Sequence, residues 1–206
     1  MKPSRTACAL SLAATLATLV LAGCAASPAV RYYSLSAATP ATAAAAASKP
    51  LLVEVPPLSL PERLVRPQMV VRAPTGQLEI LDLHRWSSPF DAELHDALAS
   101  GITQQLGAID VSGGGRLAGQ PVYRVAVQLR QWEAVQNQRV DAGFSWTIRR
   151  SDDARNIACQ WNQSEPVGAG MDALADGART LTAQAAQRIA ASLTALDADA
   201  AAKCPG

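Results

Sequence analysis

The chain has 206 residues, with 18 Lys and Arg against 17 Asp and Glu, 49% hydrophobic residues and 4% aromatics. That length closes one domain of ordinary size, and the near-zero charge balance lacks the basic face that phosphates demand, so no nucleic acid is expected as a partner. The apolar content excludes wholesale disorder, although much of it is alanine, which supplies little core volume.

The N-terminus reads as an export signal. Lys2 and Arg5 precede an uncharged apolar stretch from Ala7 to Ala22, short for a bilayer span but suited to a signal core. It ends in Leu21-Ala22-Gly23-Cys24, which resembles the bacterial lipobox; a plain secretory signal or an uncleaved anchor is the alternative. The resemblance implies cleavage before Cys24 and a covalent N-acyl diacylglycerol on its sulfur and amine, with no other cofactor expected. Several acyl chains on one cysteine hold a membrane stably, at ~0.8 kcal/mol per buried methylene. Ala25, rather than aspartate, follows the cysteine, and by resemblance to enterobacterial sorting this implies the outer membrane, with the protein lipid-anchored on the periplasmic face. Cleavage removes Lys2 and Arg5, which turns the net charge of +1 into about −1. The expected division is a signal peptide over residues 1–23, a lipidated tether over 24–29 and one domain over 30–204.

Val30 to Leu35 carries β-formers and predicts a first strand. Residues 36–50 are alanine-rich with two prolines and have no bulky face to bury, which predicts a flexible loop. Leu51 to Val55 predicts a second strand; Pro56, Pro57 and Pro61 then break the pattern. Gln68 to Arg72 and Gln77 to Leu83 predict two short strands joined by a Pro74–Gly76 turn. A helix follows, with Ser88 as cap, Pro89 at its first position and Asp91 near its positive end. Phe90, Leu94, Leu98, Ile102 and Leu106 form its apolar stripe, and Gly107 ends it. Ser112 to Gln120 is read as a loop.

Three alternating strands predict an antiparallel meander. Tyr123, Val125, Val127 and Leu129 share one face; Val140, Ala142, Phe144, Trp146 and Ile148 another; Ile157, Cys159 and Trp161 the third. Trp132 falls opposite Leu129 and is expected to be exposed. A last helix, about Met171 to Leu196, carries Leu174, Ala178, Leu181, Ala185, Ile189 and Leu193 on one stripe, with Gly177 costing ~1 kcal/mol relative to alanine. The expected fold is α+β: a two-layer sandwich, mainly antiparallel, with two long helices on one face.

Chemistry is thinly supplied. His84 and His95 read as solvated rather than catalytic, no G-x-S-x-G elbow is present, and Gly113-Gly114-Gly115 lacks the Walker lysine. No enzyme, catalytic residue or metal site is expected. With Cys8 lost in the signal and Cys24 lipidated, Cys159 and Cys204 remain for an oxidising compartment, either as a disulfide or as one buried and one exposed thiol. Trp86 is either a staple into the following helix or a surface anchor for a partner.

Tyr32-Tyr33-Ser34-Leu35, the segment from Leu64 to Arg72 containing Arg66-Pro67-Gln68, and Arg85-Trp86-Ser87-Ser88-Pro89-Phe90 stand in that order behind the lipobox. Together they resemble the PqiC-like (paraquat-inducible protein C) family of ABC-type transport auxiliary lipoproteins. The resemblance implies a periplasmic subunit of an intermembrane lipid-transport system built on mammalian-cell-entry (MCE) proteins. Such a subunit docks the MCE assembly at the outer membrane, as a homo-oligomeric ring in one arrangement, and supports envelope integrity. Arg66, Pro67, Arg85 and Trp86 are the motif positions that become candidates for partner contact. The alternative is an outer-membrane assembly lipoprotein that chaperones a barrel or lipopolysaccharide.

Overall fold

A computed structural model describes residues 28–36, 50–73, 75–114 and 119–205. The signal, Cys24 and most of the alanine-rich loop lie outside these residues. In chain order the elements are β1 (Arg31–Tyr33), β2 (Leu52–Glu54), a 3-10 turn (Glu62–Leu64), β3 (Gln68–Arg72), β4 (Leu78–Trp86), α1 (Phe90–Leu106), β5 (Ile109–Asp110), β6 (Val122–Val135), β7 (Arg139–Arg150), β8 (Asn156–Pro166) and α2 (Met171–Ala198).

The meander expected from alternation is present: β6 pairs antiparallel with β7, and β7 with β8. Asn137 makes the first turn with a left-handed φ of 57°, a conformation asparagine tolerates better than most residues. Around the meander the open sheet is mixed. The free edge of β6 is shared by two partners, β2 running parallel beside its start and β3 parallel beside its end. β4 pairs antiparallel with β3 and parallel with β1. β5, which sequence patterning does not signal, adds parallel to β2.

Both helices cover one face, giving the expected two-layer α+β arrangement. Leu94, Leu98 and Ile102 of α1 meet Leu181, Ile189 and Leu193 of α2 and the inward residues of β6 to β8 in one continuous core. Such burial stabilises by ~25 cal/mol per Å² of apolar surface removed from water. The helices approach closely because Gly101 faces Ala186: a Cβ on Gly101 would lie 2.8 Å from that of Ala186. Gly107 ends α1 in the left-handed conformation, φ 58°, which a Cβ disfavours.

Three expectations are corrected. Trp132 is 5% exposed, because the β6–β7 register slips between Leu129 and Gln131. The extra residue, Arg130, reverses the alternation, so the inward series runs on as Trp132 and Ala134. The helix cap also differs: α1 begins at Phe90 behind Pro89, with no side-chain cap bond. Its first N–H is taken by the Arg66 carbonyl at 3.1 Å, which leaves the Ser88 hydroxyl to another acceptor. The strands at β1 and β4 are shifted as well, β1 being shorter than Val30 to Leu35 and β4 running on to Trp86.

The C-terminal tail returns to the sheet. Cys159 on β8 and Cys204 beyond α2 are joined as a disulfide, their Cα atoms 5.7 Å apart.

Two stability predictions follow from this packing. Gly101→Ala, although favoured by helix propensity, crowds Ala186 and lowers unfolding stability by about 1 kcal/mol net; equilibrium denaturation measures it, and a gain in stability would contradict the close approach. The disulfide closes a loop of sequence separation 45, so its reduction removes up to about 4 kcal/mol on the chain-entropy model. Thermal unfolding with and without reductant reads this, and mass spectrometry of the non-reduced protein should find no free thiol at either position.

Candidate functional site

The three family-like motifs, separated by up to 50 residues, meet at the N-terminal end of α1. β1 brings in Tyr33, Ser34 and Leu35; the stretch before β3 brings Arg66 and Pro67; the end of β4 brings Arg85, Trp86, Ser87 and Ser88. Backbone bonds sew them together. Ser87 N–H donates to the Tyr33 carbonyl at 2.7 Å, and Trp86 N–H to the Pro67 carbonyl at 2.7 Å.

Glu93 lies at the centre, a carboxylate only 5% exposed. Oε1 accepts from the Ser34 hydroxyl at 2.6 Å and the Leu35 N–H at 3.2 Å. Oε2 accepts from the hydroxyls of Ser87 at 2.5 Å and Ser88 at 3.1 Å. Burial alone would push this carboxyl up, but the three hydroxyls and the N–H overcome it and hold it below its ordinary value. Sequence reading missed Glu93. The signal available was a glutamate next to Leu94 on the buried side of a helix, five and six residues after two serines.

The four candidate partner residues divide by exposure. Trp86 is 5% exposed, its ring 5.4 Å from Phe90, which in turn lies 5.0 Å from Trp132. Its indole is therefore committed to packing into the start of α1, the staple-like alternative. Arg66, Pro67 and Arg85 are half-buried. Arg85 Nε donates to the Asp82 carbonyl at 2.8 Å, while Arg66 Nε is buried with no hydrogen-bond partner among the described residues. Cys24 lies outside the described residues.

The histidines are engaged rather than solvated. His84 Nδ1 is 3.0 Å from the Tyr33 hydroxyl, which donates to Asp172 on α2 at 2.9 Å. His95 bridges the Val55 carbonyl, 3.0 Å from Nε2, and Asp96, 2.9 Å from Nδ1. Burial on its own would lower the pKa of His95, but Asp96 and the Val55 carbonyl turn the shift upward. At the far end of the sheet Tyr123 donates to Asp197; burial first, then that carboxylate, pushes its hydroxyl up to about 12. No three His, Cys, Asp or Glu side chains gather as a metal set among the described residues.

Opposite the helices, the meander leaves a shallow groove of about 920 Å³ between Pro56 and Cys204. Ala126, Gln128, Ser145, Thr147 and Gln160 floor it, with Arg124, ion-paired to Glu54, also in the lining. Such a shallow lining of small polar side chains accommodates a docked chain.

The family model described as "ABC-type transport auxiliary lipoprotein component" matches residues 33–190. Nothing among curated proteins matches the chain significantly. A solved structure of an uncharacterized protein is similar at 19% identity and a TM-score of 0.61, over 81% of this chain and 99% of that one. A Xanthomonas campestris protein of the DUF330 family is similar at 19% identity and a TM-score of 0.58, over 80% of this chain and 95% of its own. At these identities the likeness concerns the fold.

Glu93 makes the junction pH-dependent, with a definite sign. Its folded pKa lies below the ordinary 4.5, so its contribution is complete above that value and is lost as pH falls through the folded pKa. Glu93→Gln is expected to cost about 2 kcal/mol near neutrality, and the gap from the unsubstituted protein should close on acidification. Urea unfolding across the acid range measures both; a gap that stays constant with pH would contradict the role given to the charge. His95, raised from 6.5, works in reverse: its contribution is complete below that value and is lost as pH rises through the folded pKa.

Proposed function

Because the chain belongs to the family of ABC-type transport auxiliary lipoprotein components, we propose that it is the outer-membrane-anchored periplasmic subunit of an MCE-type intermembrane lipid-transport system. In this reading acylated Cys24 holds the domain to the outer membrane, and the domain docks the outer end of the MCE assembly, several copies forming a ring. The observation that carries the reading is the family match over residues 33–190. Two features support it. Among the described residues no helix is long and apolar enough to cross a membrane, and the family is one of lipoproteins. The lining of the open groove and the junction around Glu93 offer binding and rigidity rather than a reacting centre.

The subunit then works mechanically. The disulfide and the Glu93 junction fix the two ends of the sheet, so that force or position passes from the anchor to the docked partner without local unfolding. Arg66, Pro67 and Arg85 supply contacts from the rim of the junction, and Trp86 positions them from beneath.

Cys24→Ala should abolish acylation and release the protein from membranes; intact mass and membrane fractionation read this, and continued acylation would refute the anchor. Crosslinking in envelopes followed by purification of the tagged full-length protein should recover an MCE-domain protein. Recovery of a β-barrel protein in its place would overturn the transport reading in favour of an outer-membrane assembly lipoprotein.

A further inference from the structure

The sheet face turned away from the helices carries an apolar patch at its β1–β4 edge. Met69 and Val71 point into the core, so by strand alternation their neighbours point outward. Val70 stands opposite Ile80, and Arg72 opposite Leu78, which puts Ile80 and Leu78 on the outer face. Tyr33 reaches α2 through Asp172, so Tyr32 also turns outward. Tyr32 is 64% exposed, Ile80 51% and Leu78 49%. β1 covers β4 only from His84 to Trp86, which leaves the β4 edge from Leu78 onward without a neighbouring strand among the described residues.

Residues 28–30, on the side of the chain toward Cys24, lead into β1 beside Tyr32 of this patch. β1 runs parallel to β4, with Arg31 opposite His84, so the residues before Arg31 lead back toward the Leu78 end of β4. Seven residue steps separate Cys24 from Arg31, a reach of at most ~23 Å at ~3.3 Å each. Six steps of extended β4, from His84 to Leu78, cover ~20 Å. A lipid on Cys24 therefore lies within ~23 Å of Arg31, a reach that takes in the Leu78 end of β4.

We infer that Tyr32, Leu78 and Ile80 form a second membrane contact, lying in the interfacial zone of the same lipid surface that holds acylated Cys24. The chemistry suits that zone: a tyrosine with an apolar body and a polar tip beside two aliphatic side chains. Of the cations nearby, Arg72 is engaged with Glu133 and Arg31 with Asp172, while Arg85 stands opposite Tyr32 with its Nε on the Asp82 carbonyl. Of the nearby acids, Glu79 sits opposite Val71 and turns to the other face; Asp82 remains on the exposed stretch of β4. With one cation, Arg85, and one acid, Asp82, beside it, the patch depends on apolar insertion more than on anionic headgroups. The contact fixes the tilt of the domain on the membrane, which a lipid on a short tether leaves undetermined.

This inference rests on the lipoprotein reading, and its test separates the two. Full-length lipidated protein carrying Ile80→Cys, labelled with an environment-sensitive fluorophore, is reconstituted in phosphatidylethanolamine–phosphatidylglycerol vesicles; Gln187→Cys on exposed α2 is the control. Lipids brominated near the headgroup should quench the label at position 80 several-fold more than at 187, and Tyr32→Ser/Leu78→Ser should reduce that difference while circular dichroism stays unchanged. Intact mass reports whether Cys24 carries lipid. Its absence overturns both readings, whereas a lipidated protein with equal quenching at the two positions overturns the membrane contact alone. Protection of position 80 from both lipid-borne and aqueous quenchers, rising with protein density, also overturns it and assigns the patch to a second copy of the chain.

Discussion

A single buried carboxylate holds together the part of this protein where distant segments meet. Removing Glu93 from water costs several kcal/mol unless its oxygens are satisfied, and the fold satisfies them with donors from β1 and from the link between β4 and α1. The dependence runs both ways. The carboxylate needs those donors, and the short β1, only three residues long, is held besides by its parallel pairing with β4 and by the bonds of Arg31 and Tyr33 to Asp172. Because Phe90 begins α1 under the Arg66 carbonyl, the R-P segment, the W-S-S-P segment and the first strand all depend on one another through the helix start.

The rest of the sheet follows from how β6 is shared. Its fourteen residues are longer than any neighbour on its free edge, so β2 and β3 divide that edge between them. The bulge at Arg130 turns the second half of β6 by one residue, which aims Trp132 at Phe90 and carries the core under the start of α1. Without that turn the tryptophan would face the open groove, and the aromatic cluster beneath Trp86 would lose its outer member.

These constraints give the two sheet faces different roles. The helix-covered face carries the stability. The open face keeps a groove floored by small polar side chains at one end and an apolar patch at the other. Contacts made there leave the core untouched, since a single face cannot both fill the core and remain available for contact.

Several features were legible in the sequence because each depends on neighbours in the chain. The β6–β8 meander and both helices announce themselves through periods of 2 and 3.6 residues. The cysteine pair was legible as a choice between two states, and folding decided it by returning the tail to β8. Other features depend on pairings between segments far apart in the chain, and no local pattern encodes them. Ser88 has the composition of a helix cap yet serves a carboxylate. Trp86 reads equally as anchor or staple until Phe90 and Trp132 surround it. Trp132 reads as exposed because one inserted residue reverses alternation without leaving a mark in composition. The sequence by itself determined which segments become strands and helices; only the tertiary structure decided which polar side chains are buried together, because burial sets the cost of an unpaired charge and the closing of the fold alone brings its donors within reach.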